Sequence, residues 1–215
     1  MITKKVPALL LSLWALAAPM SAEAQKAEAI LSQANTNAQE YQALVFEGRK
    51  AIKLCVQCHG ETGNSRYPDV PNLAGQHPIY LLTQIQAYYQ GTRKDEFMED
   101  LMKKMSEREK AAAAAFFANS SVIPAGKPTP VGADLYAKHC ARCHQRDGRG
   151  GADYPRLAGQ QKDYLRQSMR RYYTSTGRIY PPMIASVTAL GVNNVDIMVN
   201  YLSGLEVPPD FTAPK

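Results

Sequence analysis

No part of this sequence offers the roughly 20 consecutive apolar residues that a membrane-spanning helix requires. The apolar run Val6 to Ala18 falls well short of that length. It follows Lys4 and Lys5 and precedes Ala22-Glu23-Ala24, a small-x-small pattern. Residues 1–24 therefore read as a secretory signal peptide cut between Ala24 and Gln25, rather than as an uncleaved anchor, and the mature chain is expected in the periplasm. Strand patterning is also missing, because no stretch alternates apolar and polar residues for long enough. Basic runs are absent too. The net charge of +6 and pI of about 9.1 would otherwise invite a nucleic-acid partner, and without a basic run that class is set aside. From Gln25 to Lys127 there are 12 Lys/Arg against 11 Asp/Glu, a net of +1, whereas Pro128 to Lys215 has 11 against 7, a net of +4.

Cysteine is scarce. An exported protein is free to form disulfides, but the four cysteines are all consumed by two Cys-x-x-Cys-His segments, Cys55/Cys58/His59 and Cys140/Cys143/His144. These segments are not the only repeat. Leu73-Ala74-Gly75-Gln76 returns as Leu157-Ala158-Gly159-Gln160, Tyr80-Leu81 as Tyr164-Leu165 and Tyr88-Tyr89 as Tyr172-Tyr173, all at one shared offset that is a single position shorter than the offset between the cysteine segments. Met98 and Met183 return to the offset that separates Cys55 from Cys140. The chain is an internal duplication, divided at a Pro, Ser and Gly-rich segment. The expected organisation is a leader (1–24), a polar N-terminal extension (25–42), a first unit (43–118), a linker (119–130), a second unit (131–207) and a tail (208–215).

Helical patterns are expected at Tyr41 to Leu54, Ile79 to Tyr89 and Ser106 to Ala118, and again at Ala133 to His139, Lys162 to Tyr173 and Asn193 to Leu202. Ser106 with Glu109 forms a capping-box signature ahead of an alanine-rich run. The fold class is all-α. A unit of this small size is marginal without help, and a buried cofactor would complete its core.

A Cys-x-x-Cys pair can be a redox dithiol, half of a zinc site or a haem anchor, and the histidine that follows both pairs selects the haem anchor. Two thiols bond the two vinyl groups and the adjacent imidazole becomes an axial ligand. Two covalently bound haem c groups are expected, with His59 and His144 on the iron. Methionine supplies the sixth ligand in high-potential cytochromes. The interval from His59 to Met98 equals that from His144 to Met183, whereas Met102, Met105, Met169 and Met198 have no such matching partner. Met98 is placed in a charged loop. His77 is expected at the surface, and His139 at the surface or in the core. A ligating imidazole usually donates its second N–H to a carbonyl. Pro71 and Pro155 are candidates, though each also reads as a plain turn proline.

As a set, Cys-x-x-Cys-His, Pro-x-Leu-Ala-Gly-Gln at Pro71 and Pro155, Tyr-Leu at Tyr80 and Tyr164, and Met98 and Met183, placed at equal distances before Ser106 and Gly191, resemble the diheme cytochromes c4. Two class I cytochrome c domains in tandem make up that family. The resemblance covers roughly Val45 to Leu205. It implies His/Met ligation in both domains, proline carbonyls bonded to the axial histidines, a pseudo-twofold arrangement with propionates near the domain interface, and a role as an electron carrier rather than an enzyme. Redox partners such as a terminal oxidase or another membrane respiratory complex, met peripherally by a monomer, follow from it. A diheme electron-transfer subunit of an oxidoreductase, such as a flavocytochrome sulfide dehydrogenase, is the alternative. The Gln25–Glu40 stretch and Gln145, which stands where the first copy has Gly60, depart from the pattern. Asp95, Glu96, Glu99 and Asp100 surround Met98, so the first centre is expected at the lower potential.

Overall fold

The computed structural model describes residues 22–207, with side chains from residue 25 onward. The expected leader lies outside the described residues except for its last three, and the tail 208–215 lies outside them altogether. Among the described residues eleven α-helices follow one another: α1 (Ala22–Asn35), α2 (Ala38–Ala51), α3 (Val56–His59), α4 (Pro78–Tyr89), α5 (Glu96–Lys104), α6 (Glu107–Ala118), α7 (Ala133–His139), α8 (Ala141–His144), α9 (Lys162–Tyr173), α10 (Pro181–Leu190) and α11 (Val195–Gly204). No strand occurs among the described residues, as the absent alternation predicts.

Local chemistry sets the helix ends. Asn37 Oδ1 accepts from Gln39 N at 2.8 Å, so α2 starts at Ala38 and is finished by Ala51, short of the expected end at Leu54. Ser106 and Glu109 close the expected capping box at the head of α6. In the second copy a 3₁₀ turn at Val192–Asn194 takes the place of the first helical turn expected there, and α11 runs on to Gly204. Helices α5 and α10 are additional to those expected; Asp95 caps the first, and Pro181 and Pro182 open the second.

The largest departure concerns residues 25–42. Expected as a polar extension, they form α1 and the head of α2, and Ala27, Leu31 and Ala34 are buried in the first core with α6. Small residues explain the fit, because the alanines at 111–115 present a low surface that α1, α2 and α4 approach closely. A side chain at Gly48 would strike the Ala112 carbonyl, so α2 depends on this glycine to reach α6. In the second domain the core is built instead from Tyr136, Leu165, Met169, Val187, Leu190, Met198, Val199 and Leu202, with no counterpart of α1 among the described residues.

The two domains are joined by a reciprocal set of buried hydrogen bonds. Gln76 Oε1 accepts from Arg156 N at 2.8 Å and its Nε2 donates to Arg156 O at 3.2 Å. At the equivalent positions, Gln160 Oε1 accepts from Asn72 N at 2.6 Å and its Nε2 donates to Asn72 O at 3.0 Å. The two amide exchanges are related by a pseudo-twofold axis. Arg156, 1% exposed, adds bonds to Asn72 O at 3.2 Å, Ala74 O at 2.8 Å and Ala158 O, and burial brings its guanidinium down to about 10. The connection between α6 and α7 is tied down as well: Asn64 bonds Ser121 O and Ile123 N, Ala125 N donates to Gly159 O, and Gly126 N donates to Ser203 O.

Two outcomes are expected. Leu31→Ala, at a position with no exposure, should lower unfolding free energy by about 2–5 kcal/mol in a denaturant titration, whereas a change near zero would mean that α1 is not part of the core. Arg156→Ala leaves the buried Ala74 and Ala158 carbonyls without their donor and Asn72 O with Gln160 Nε2 alone, so about 2 kcal/mol or more should be lost. Calorimetry should then resolve two domain transitions, and an unchanged single transition would contradict the interface role.

Candidate functional site

Each Cys-x-x-Cys-His segment folds as a single helical turn. His59 N donates to Cys55 O at 2.8 Å and Cys58 N to Cys55 O at 3.2 Å; the second copy repeats these at 3.0 Å and 3.2 Å from His144 and Cys143 to Cys140 O. A spacing of three places both thiols on one side of the turn, with the histidine beside them. The backbone must then leave the turn sharply. Gly60 does so with φ of 80°, and Gln145 adopts φ of 63° at the same position, a left-handed φ combined with an extended ψ of 166° that costs a non-glycine residue about 1–3 kcal/mol. Tyr136 compensates, its hydroxyl donating to Gln145 O at 2.6 Å.

Both histidine rings are buried, His59 at 8% and His144 at 4% exposure. Pro71 O lies 2.9 Å from His59 Nδ1, and Pro155 O lies 2.9 Å from His144 Nδ1. A carbonyl can only accept, so Nδ1 carries the proton and Nε2 keeps its lone pair for a metal. Burial pushes both imidazoles below the usual histidine range, against the opposing pull of the carbonyls. The carbonyls are delivered by a loop that is built twice. Leu73 N and Ala74 N both donate to Gly63 O, at 2.7 and 3.0 Å, and Leu157 N and Ala158 N both donate to Gly148 O, at 2.7 and 3.1 Å.

Cys55 and Cys140 are the wrong thiols for dithiol redox chemistry, since burial pushes each up to about 11 where a reactive thiol needs a lowered value. A zinc site lacks ligands, because no group of three or more His, Cys, Asp or Glu side chains among the described residues could hold a metal ion.

In the second domain, Cys140, Cys143, His144, Pro155 and Met183 line one cavity of about 580 Å³, walled by Leu157, Leu165, Met169, Val187 and Leu190. Its volume and apolar lining suit a cofactor-sized ligand. Met98 does not lie in a charged loop: Asp95 caps α5, accepting from Met98 N at 3.1 Å, and Met98 is the third residue of that helix. Met183 is likewise the third residue of α10, with its N–H bonded to Tyr180 O at 3.0 Å. Met102, Met169 and Met198 are buried core residues, and Met105 packs against the first core. His77 is buried rather than at the surface, because its position just before α4 is covered by the backbone at Arg149 and Gly150 of the other domain. His139 is half-buried at the end of α7 and lines the cavity.

The cavity continues to the first domain, which contributes Tyr80, Gln84 and Arg93, while Arg178 of the second domain faces them. Both guanidiniums donate to Gln84 Oε1, from Arg93 at 2.8 Å and from Arg178 at 2.9 Å. Two cations held this close repel by on the order of a few kcal/mol at the effective dielectric of a protein. Burial alone would raise the Tyr164 phenol, but the charges of Arg93 and Arg178 outweigh it and bring it below the usual tyrosine range. Arg93 Nε is buried without a hydrogen-bond partner among the described residues. An anionic group belongs beside it, and the carboxylates of a haem fit that requirement. Tyr80 and Tyr164 stand out in the chain as a repeated Tyr-Leu pair, whereas Gln84 and Arg93 carry no motif, although Arg93 and Arg178 repeat at the same offset as Met98 and Met183.

The cytochrome c family profile matches the chain twice, over residues 45–120 and 131–206. Cytochrome c4 of Thiocapsa roseopersicina is 30% identical over 172 residues, covering 73% of this chain and 89% of the relative. Cytochrome c4 of Azotobacter vinelandii is 32% identical over 191 residues, with coverage of 76% and 89%. The crystal structure of reduced cytochrome c4 from Pseudomonas stutzeri superimposes with a TM-score of 0.67 at 26% identity, covering 75% of this chain and 98% of that one. With two haem c-binding domains in tandem and relatives aligned over most of their length, the chain belongs to the diheme cytochromes c4, electron-transfer proteins of the cytochrome c family.

Proposed function

We propose that the protein is exported to the periplasm and carries single electrons to a membrane respiratory complex such as a terminal oxidase, acting as a free monomer. Cys55, Cys58, Cys140 and Cys143 anchor the two haems, His59 and Met98 ligate the first iron, and His144 and Met183 ligate the second. The observation that carries this reading is the matched pair of methionines at the third residue of equivalent helices, combined with the matched histidine-to-proline bonds. Bound haem supplies a reversible one-electron iron couple. The chain's own residues determine what is done with it. The proline carbonyls fix each imidazole in one tautomer and orientation, so little rearrangement accompanies electron exchange. Met98 and Met183, as second protein ligands, would leave bound haem no open position for a substrate, as suits a carrier. Phe97 and Ile179, 61% and 77% exposed, stand close in the chain to the two methionines and offer apolar contact to a partner.

Purified protein should contain two covalent haems and show the ferric near-infrared band of sulfur-to-iron ligation, with Met98→Ala and Met183→Ala each removing half of it. Fewer than two haems, or no band, would defeat the ligand assignment. A stable second subunit in native purification would replace the free carrier by a subunit role.

The two centres should differ modestly in potential. Glu99 is paired with Lys94 at 3.5 Å and Asp100 with Lys103 at 3.4 Å, so Asp95 and Glu96 remain as the unbalanced charges near Met98. Negative charge favours the ferric state, with screening over about 10 Å at 0.1 M salt. Spectroelectrochemical titration should place the first haem lower, and equal or inverted potentials would refute the charge argument.

A further inference from the structure

The cavity wall that contains His144 and Met183 is completed by the opposite domain. Arg93 reaches across the interface and donates to Tyr164 Oη at 3.1 Å; Arg178 makes the reverse crossing and donates to Tyr80 Oη at 3.1 Å. Each guanidinium also lies over a tyrosine ring of its own domain, Arg93 over Tyr88 at 4.5 Å and Arg178 over Tyr172 at 5.0 Å. The arrangement is therefore duplicated, with one exception. Gln84 binds both arginines, and its counterpart in the second copy is Ser168, which is too short to do the same. Neither arginine takes part in an ion pair among the described residues. Two cations gathered on one neutral amide oxygen, partly withdrawn from water, form a receptor for carboxylate.

We infer that Arg93 and Arg178, clamped by Gln84, form a domain-crossed cationic pair that receives the haem carboxylates at the interface and sets the potentials of both centres together. This rests on the diheme reading above. When one electron enters either iron, the charge of that centre falls by one, no bond in the chain breaks, and both guanidiniums keep their protons. Fixed positive charge next to the centre favours the reduced state. Because each arginine belongs to one domain and contacts the other, removing either one is felt on both sides. Gln84 explains why the pair holds together in spite of its own repulsion.

The test is a spectroelectrochemical titration of the full diheme protein and its Arg93→Gln and Arg178→Gln variants, with the centres distinguished by paramagnetic NMR of their haem methyl groups. In each variant the ferrous-to-ferric ratio at fixed applied potential should fall roughly three- to tenfold at both centres, tenfold being about 59 mV for a one-electron couple. Arg93→Lys keeps the charge and should hold both ratios within about twofold of the parent. A shift confined to one centre, no shift, or a shift that lysine fails to restore would overturn the crossed pair. Two covalent haems and an unchanged near-infrared band in the parent protein keep the diheme reading separate, because its failure would appear there and not in the variants.

Discussion

The hydrogen bond from each buried imidazole to a proline carbonyl is the constraint on which the rest of the molecule depends. To place Pro71 O 2.9 Å from His59 Nδ1, the chain must loop back to the helical turn and be held there. Paired donations from Leu73 and Ala74 to the Gly63 carbonyl hold it. The residues that follow the carbonyl then have no freedom left, and Asn72 and Gln76 emerge at fixed positions on the domain surface. They are the residues that exchange amide bonds with Gln160 and Arg156. One loop thus orients the metal-binding ring and docks the neighbouring domain, so the geometry of the two sites and the geometry of the interface cannot vary separately.

Duplication accounts for what the domains share, and the differences between them are local and physical. The first domain packs an extra helix, α1, against alanines, where the second relies on the larger side chains Met198, Val199 and Leu202. Glycine turns the chain after His59, whereas glutamine does so after His144 at the cost of a left-handed backbone that Tyr136 steadies. Gln84 clamps two arginines that Ser168 could not reach. None of these differences disturbs the histidine-to-proline bond.

Features that depend on neighbours a few positions away were legible in the chain. The capping box at Ser106 and the helices at Ala133–His139 and Lys162–Tyr173 appear where the pattern puts them. The polar appearance of Gln25–Glu40 misleads because Ala27, Leu31 and Ala34 make a stripe too sparse to signal burial without knowledge of the alanine surface opposite. His77 misleads for the same reason, since the cover over it comes from the other domain. Around Met98, charged neighbours suggest a loop and hide a helix that Asp95 caps.

By itself the sequence determined the two thiol-thiol-imidazole segments, their duplication, the all-α class and the equal spacing that singled out Met98 and Met183, since covalent attachment and periodicity are properties of the chain. Only the tertiary structure decided that both methionines occupy the third position of a helix, that the proline carbonyls meet the imidazoles, and that arginines from each domain converge on Gln84. Those relations join residues as far apart in the chain as Tyr80 and Arg178. Burial, charge and hydrogen-bond reach between such residues exist only once the two domains have docked.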